Sequence, residues 1–118
     1  PNGSAHRRAR GAVRMERLTG ADFDGTKLSR DGTLAVTFSA KWCPYCRDFM
    51  AEFKTAELSV EKAMGDVTDE ESALWDDFEL NVVPTMVLFR DGEAVWRRDG
   101  IRRVGLNRAD IDALRAAL

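Results

Sequence analysis

Between Leu34 and Ser39 two interleaved sets of residues alternate, Leu34, Val36 and Phe38 against Ala35, Thr37 and Ser39, and every member is small or apolar. A strand with one wet face alternates apolar with charged side chains, so this segment is expected to be covered on both faces. Such coverage points to parallel pairing in a sheet with helices on either side. One of those helices is legible at once. Phe49, Met50, Phe53 and Ala56 recur at three- and four-residue steps, the period of an amphipathic helix that begins beside Cys46.

The remaining elements are read in the same way. Residues 15–18 suit a short strand, and Thr19 followed by Asp22 has the spacing of an N-terminal cap, which predicts a helix over residues 23–28. Asp31-Gly32 is a turn signal before the strand at Leu34. A second central strand belongs between Leu58 and Val67, although Val60, Ala63 and Met64 also continue the helical period. Thr68 with Glu71 reads as a further capping box, ahead of a helix burying Leu74, Trp75 and Phe78. A strand over residues 86–89 follows Pro84, Asp91-Gly92 turns the chain into Val95 and Trp96, and Asn107 with Asp110 caps a last helix carrying Ile111, Leu114 and Leu118. The order β, α, β, α, β, α, β, β, α predicts an α/β domain. Its central sheet is mixed and mainly parallel, flanked by helices, with a C-terminal β-hairpin and helix.

The chain of 118 residues is long enough for one core. Residues 1–14 hold Arg7, Arg8, Arg10 and Arg14 among Gly, Ser and Ala, with little to bury, and are expected to form a disordered basic tail ahead of a single domain over residues 15–118. A net charge of -2 argues against a nucleic-acid partner, which needs a positive excess on the binding face. No apolar run approaches the ~20 residues of a membrane span, and no signal-like stretch opens the chain, so a monomeric cytoplasmic protein without a membrane partner is expected.

Cys43 and Cys46 are the only cysteines, three positions apart where a helix starts. The first turn of a helix leaves N–H groups unpaired and carries partial positive charge, so a thiolate placed there is stabilised. Cys43 is expected to be the nucleophile. Cys46, about one turn on along the same face, is expected to attack a mixed disulfide formed at Cys43. Pro44 suits the first turn because it needs no N–H partner there and its φ is pre-set. A structural zinc site wants four Cys or His ligands, and His6 is the only histidine, so no metal is expected. Inert buried cysteines are the other alternative, and the Pro-Tyr pair at a helix start weighs against them.

These residues, with their neighbours, resemble the thioredoxin-like superfamily over residues 15–118. The matching pieces run in order: Ser39-Ala40-Lys41-Trp42-Cys43-Pro44-Tyr45-Cys46, then Val83-Pro84-Thr85, then Phe89-Arg90-Asp91-Gly92-Glu93. The resemblance implies a thiol-disulfide oxidoreductase in which Pro84 is cis and faces the dithiol. It further implies that Val83 pairs through its backbone with an extended substrate and that Trp42, Pro44 and Tyr45 border the groove. A glycine that closes this groove falls at Gly100, with Gly105 as the alternative. Residues 101–106 then form an inserted loop whose Arg102 and Arg103, with Arg97, Arg98 and Arg108 nearby, are either a solvated face or a dock for an acidic partner.

Two positions depart from the thioredoxin pattern. Pro44-Tyr45 between the cysteines is similar to glutaredoxins, yet Gly105-Leu106-Asn107 stands where a glutaredoxin carries a Gly-Gly pair for glutathione. Thr37, six residues before Cys43, stands where thioredoxins have a buried aspartate that moves protons for the resolving cysteine. The leading expectation is a protein-disulfide reductase that needs no cofactor, acts on disulfide-bearing proteins and is recharged by a reductase or a low-molecular-weight thiol. A glutathione-coupled glutaredoxin and a redox-sensitive binding module without turnover are the alternatives.

Overall fold

The computed structural model describes residues 15–118, so the tail expected at residues 1–14 lies outside the described residues. Strand β1 (Glu16–Leu18) leads into a 3-10 turn, Gly20–Asp22, and then a small hairpin of β2 (Phe23–Asp24) and β3 (Lys27–Leu28). Strand β4 (Thr33–Ser39), helix α1 (Pro44–Thr55) and strand β5 (Glu61–Asp66) follow. After them come α2 (Leu74–Asp77), β6 (Thr85–Arg90), β7 (Glu93–Asp99) and α3 (Arg108–Ala117). The main sheet has the order β1-β5-β4-β6-β7.

Strand β4 is the central strand, as its two apolar faces require, and six of its seven residues are buried. It pairs parallel with β5 and antiparallel with β6, and β6 pairs antiparallel with β7. The sheet is mixed as expected. Its antiparallel part takes in β6 as well as the last hairpin, because burial on both faces fixes coverage and not strand direction. On one face Phe49 and Phe53 of α1 pack with Ile111 and Leu114 of α3 against Ala35, Met86 and Leu88. On the other, Phe23, Phe38, Phe78 and Phe89 form an aromatic cluster with ring centroids 4.9 to 6.0 Å apart.

The helix expected over residues 23–28 is instead the β2–β3 hairpin, and this is a correction. The Thr19 capping box does form, but it serves only one 3-10 turn. Gly25 at φ 62 then reverses the chain, which glycine does without steric cost. The hairpin register sets Phe23 opposite Leu28, so both side chains reach the aromatic face from two short strands. The capping box expected at Thr68 and Glu71 also fails. Helix α2 starts only after Ala73, which caps nothing, because the Thr68 oxygen already accepts the Lys41 N–H at 2.9 Å while its hydroxyl donates to Asp66 at 2.6 Å.

The ambiguous stretch before Val67 is strand. Helix α1 ends at Thr55 with Ala56 extended at ψ 137, and Lys62 of β5 reaches back to donate to the carbonyls of Phe53, Lys54 and Ala56. A cation on the last carbonyls of a helix satisfies orphan acceptors and complements the helix dipole. Gly65 of β5 lies under the Phe38 ring, where a Cβ would meet ring carbon at 2.5 Å.

Candidate active site at the start of helix α1

The carboxyl end of β4 delivers the chain to Ala40, and a turn closed by the Cys43 N–H on the Ala40 carbonyl at 3.1 Å sets Cys43 at the N-cap of α1. Pro44 occupies the first helical turn, where a missing N–H costs nothing. The Cys43 Sγ accepts the N–H of Cys46 at 3.3 Å, so a helix-terminal donor faces the position where negative charge would reside. Both cysteines are free thiols. Cys43 keeps 7% of its surface exposed and Cys46 none, so of the two residues only Cys43 has surface open to the outside.

Burial pushes the Cys46 thiol up to about 12, and the hydrogen bond to Cys43 works in the same direction, while the Ala40 backbone and the Ser39 side chain oppose it. The reduced protein therefore holds Cys46 as a neutral thiol across physiological pH.

Val83-Pro84 is a cis peptide bond, and the Val83 carbonyl accepts from the Cys43 Sγ at 3.6 Å. The segment before β6 thus comes against the dithiol. Both glycine candidates lie at Pro84 too. A Cβ on Gly100 would fall well inside contact distance of the Pro84 carbonyl oxygen, whereas one on Gly105 would stand 3.1 Å from Tyr45 Cβ and 3.8 Å from Pro84 Cδ. Gly100 therefore lies behind the Pro84 peptide, and Gly105 closes against Tyr45.

Trp42 is held from the other side. Its indole N–H donates to the Thr68 carbonyl at 2.9 Å and its ring stacks on Trp75 at 6.2 Å. The Thr68 hydroxyl accepts the Lys41 N–H at 2.9 Å. Thr68 is itself fixed by Asp66, whose carboxylate also takes Arg17 at 2.7 Å. Burial alone would raise the Asp66 pKa, but the Thr68 hydrogen bonds and Arg17 outweigh it and hold the carboxyl below its ordinary value.

A model of the thioredoxin family matches residues 14–111. The chain belongs to the thioredoxin family. It is 35% identical over 88 residues to a thioredoxin of Chlamydia pneumoniae, covering 72% of this chain and 83% of that protein. It is also 30% identical over 95 residues to Protein disulfide-isomerase A3 of Gallus gallus, 78% of this chain but only 19% of that relative's length. In structure it resembles thioredoxin F from spinach chloroplast with a TM-score of 0.66 at 18% identity, covering 89% of this chain and 93% of that one, which is a likeness of fold.

This thioredoxin-family domain is a thiol-disulfide oxidoreductase whose cysteine pair stands at the helix start. Thr37, in the position of the expected buried acid, is fully buried, and its hydroxyl has no hydrogen-bond partner among the described residues. The carboxylate next in the sheet, Asp66 opposite Ser39, is engaged by Arg17 and Thr68. Ser39 is thus a site residue that sequence reasoning missed, a hydroxyl beside the Cys46 sulfur. Its signal was a polar side chain ending a strand buried on both faces. Thr68, the anchor of Trp42, carried no sequence signal beyond its false reading as a helix cap.

Proposed function

We propose that this domain is a protein-disulfide reductase in which Cys43 attacks and Cys46 resolves. The observation that carries the reading is the asymmetry of the pair: one cysteine keeps open surface and a helix-terminal donor on its sulfur, and the other is sealed with its thiol pushed toward the neutral form. The Cys43 thiolate attacks one sulfur of a substrate disulfide, and the other substrate sulfur leaves as a thiolate. That thiolate, or water, takes the proton from Cys46. The Cys46 sulfur then attacks Cys43 and expels the second substrate thiolate. The protein dithiol gives up two electrons and two protons, and the substrate disulfide gains them.

Val83, Pro84, Trp42, Pro44, Tyr45 and Gly100 would form the groove around the Cys43 sulfur, with the Val83 backbone available to an extended substrate. One chain supplies every part, so a monomer suffices. A reductase or a low-molecular-weight thiol as electron donor, in a reducing compartment such as the cytoplasm, fits this direction of flow. Insulin reduction tests the reading. Cys43→Ser is expected to abolish it, and Cys46→Ser to accumulate a mixed disulfide at Cys43. Turnover by Cys43→Ser, or an adduct trapped on Cys46, would overturn it.

A further inference from the structure

Six large hydrophobic residues are exposed among the described residues, and four of them, Trp42, Tyr45, Ile101 and Val104, lie at the dithiol or on the loop beside it. That loop, residues 101–105, is closed on itself. The Ile101 N–H donates to the Gly105 carbonyl at 3.0 Å, the Gly105 N–H returns to the Ile101 carbonyl at 2.7 Å, and Gly105 seats the loop against Tyr45 and Pro84. Its tip presents Arg102 and Arg103.

The arginines around this loop are engaged: Arg97 with Asp99, Arg98 with Asp110, Arg108 with Glu52. Arg102 and Arg103 are both exposed and have no ion pair or hydrogen bond among the described residues. Arg103 also adopts φ 65, a left-handed conformation uncommon for a side chain of its size. The rim on the Trp42 side has the opposite charge. Asp69, Glu70 and Glu71 are exposed there, in the segment whose Asp69 carbonyl accepts the Trp75 indole N–H behind Trp42. Lys41 and Arg47 are cations on the same side, Lys41 through its N–H on the Thr68 hydroxyl and Arg47 through the Lys41 carbonyl.

We propose that the rim selects substrates by charge: the domain docks an extended protein segment carrying acidic side chains beside its cystine, which pair with Arg102 and Arg103 while the cystine meets Cys43. Exposed apolar side chains supply contact area, and the opposed charges fix the orientation of the segment and reject one that places acidic side chains at Asp69 to Glu71. The inference rests on the reductase reading and names its substrate class.

The test is single-turnover reduction by the pre-reduced protein, which needs no electron donor. It uses synthetic cystine peptides that carry Asp, Lys or Ser on one flank and Ser on the other, each flank tried in turn, and compares the Asp and Lys peptides on the flank whose rates respond to Arg102 and Arg103. Two exposed ion pairs and the repulsion of lysines predict that the Asp peptide is reduced at least about fivefold faster than the Lys peptide at low salt. The ratio should fall toward one as ionic strength rises to about 0.5 M. In Arg102→Glu/Arg103→Glu the ratio should invert, and because it compares two peptides on one protein it does not depend on the stability of the variant. Equal rates for the Asp and Lys peptides at low salt on both flanks, or a ratio unchanged in the double variant on both, would overturn the charge selection while Ser-peptide reduction kept the reductase reading. A Ser peptide left unreduced would overturn both.

Discussion

Replacing Gly100 with alanine tests whether the end of β7 supports the segment that faces the dithiol. The backbone of Gly100 lies outside the left-handed region, so the new Cβ meets steric contact alone, first with the Pro84 carbonyl oxygen and then with Val82. The Pro84 oxygen belongs to backbone and cannot swing away as a side-chain tip would. Overpacking of this kind costs about 1–3 kcal/mol. Loss of glycine freedom in the unfolded chain returns about 0.4–1 kcal/mol. The net destabilisation is therefore about 1–2 kcal/mol, which for a domain of this size lowers the melting temperature by about 4–8 °C. Relief of the contact has to move Pro84, and with it the Val83 carbonyl now 3.6 Å from Cys43 Sγ, so KM for insulin should rise as well. Thermal unfolding by circular dichroism and insulin reduction read the two effects. Gly20→Ala, with nothing within 4 Å of the added Cβ, is the control. A Gly100→Ala protein that melts and turns over like the parent would refute the reasoning.

Alkylation of the reduced native protein with iodoacetamide below about pH 10 should label Cys43 alone, because the Cys46 thiol is buried and pushed up to about 12; faster labelling of Cys46, read by peptide mapping, would reverse the roles. Lys62→Met should destabilise the domain by about 1–3 kcal/mol in urea unfolding, since three helix-end carbonyls lose a charged donor. Asp66 has a lowered native pKa, so its stabilisation is present above the ordinary carboxylate range and is lost as pH falls through the native value. Asp66→Asn should accordingly be less stable at neutral pH and show a flatter acid limb in melting temperature against pH; an unchanged limb would exclude the role given to Arg17 and Thr68. The disulfide potential, measured against a glutathione buffer, should fall between about -270 mV and roughly -200 mV, and a more negative value would mean that Pro44-Tyr45 does not set it.

The elements that declared themselves in the sequence are those whose burial is dictated by period. The two apolar sets of β4 and the helical spacing of Phe49 and Phe53 each admit one structure, and each is present; the Asn107 capping box opens a helix because Ile111 and Leu114 continue the period behind it. A capping box closes any first turn, so the one at Thr19 is satisfied by a single 3-10 turn, and Gly25, at φ 62 and following an aspartate as Gly32 and Gly92 do, reverses the chain before a helix can grow. Thr68 fails as a cap for a different reason: its hydroxyl donates to Asp66 and its oxygen accepts the Lys41 N–H, and both partners stand at or just past the ends of the paired strands β4 and β5. At the site, the dithiol followed from the spacing of Cys43 and Cys46 at a helix start, and the cis Val83-Pro84 bond from motif resemblance. The Ser39 hydroxyl beside Cys46 and the support of Trp42 depend on which side chains meet across strands, and no spacing along the chain encodes that.

The hold on Trp42 has a thermodynamic consequence for encounter with a partner. Immobilising a large side chain at an interface costs about 0.5–1.5 kcal/mol when it is ordered only on association. Here the indole is already fixed by a hydrogen bond and a stacked neighbour, and the backbone ahead of it by the Thr68 hydroxyl. Folding meets that entropic cost once, before any partner arrives, so a partner that met the exposed ring would gain affinity without a matching loss of freedom.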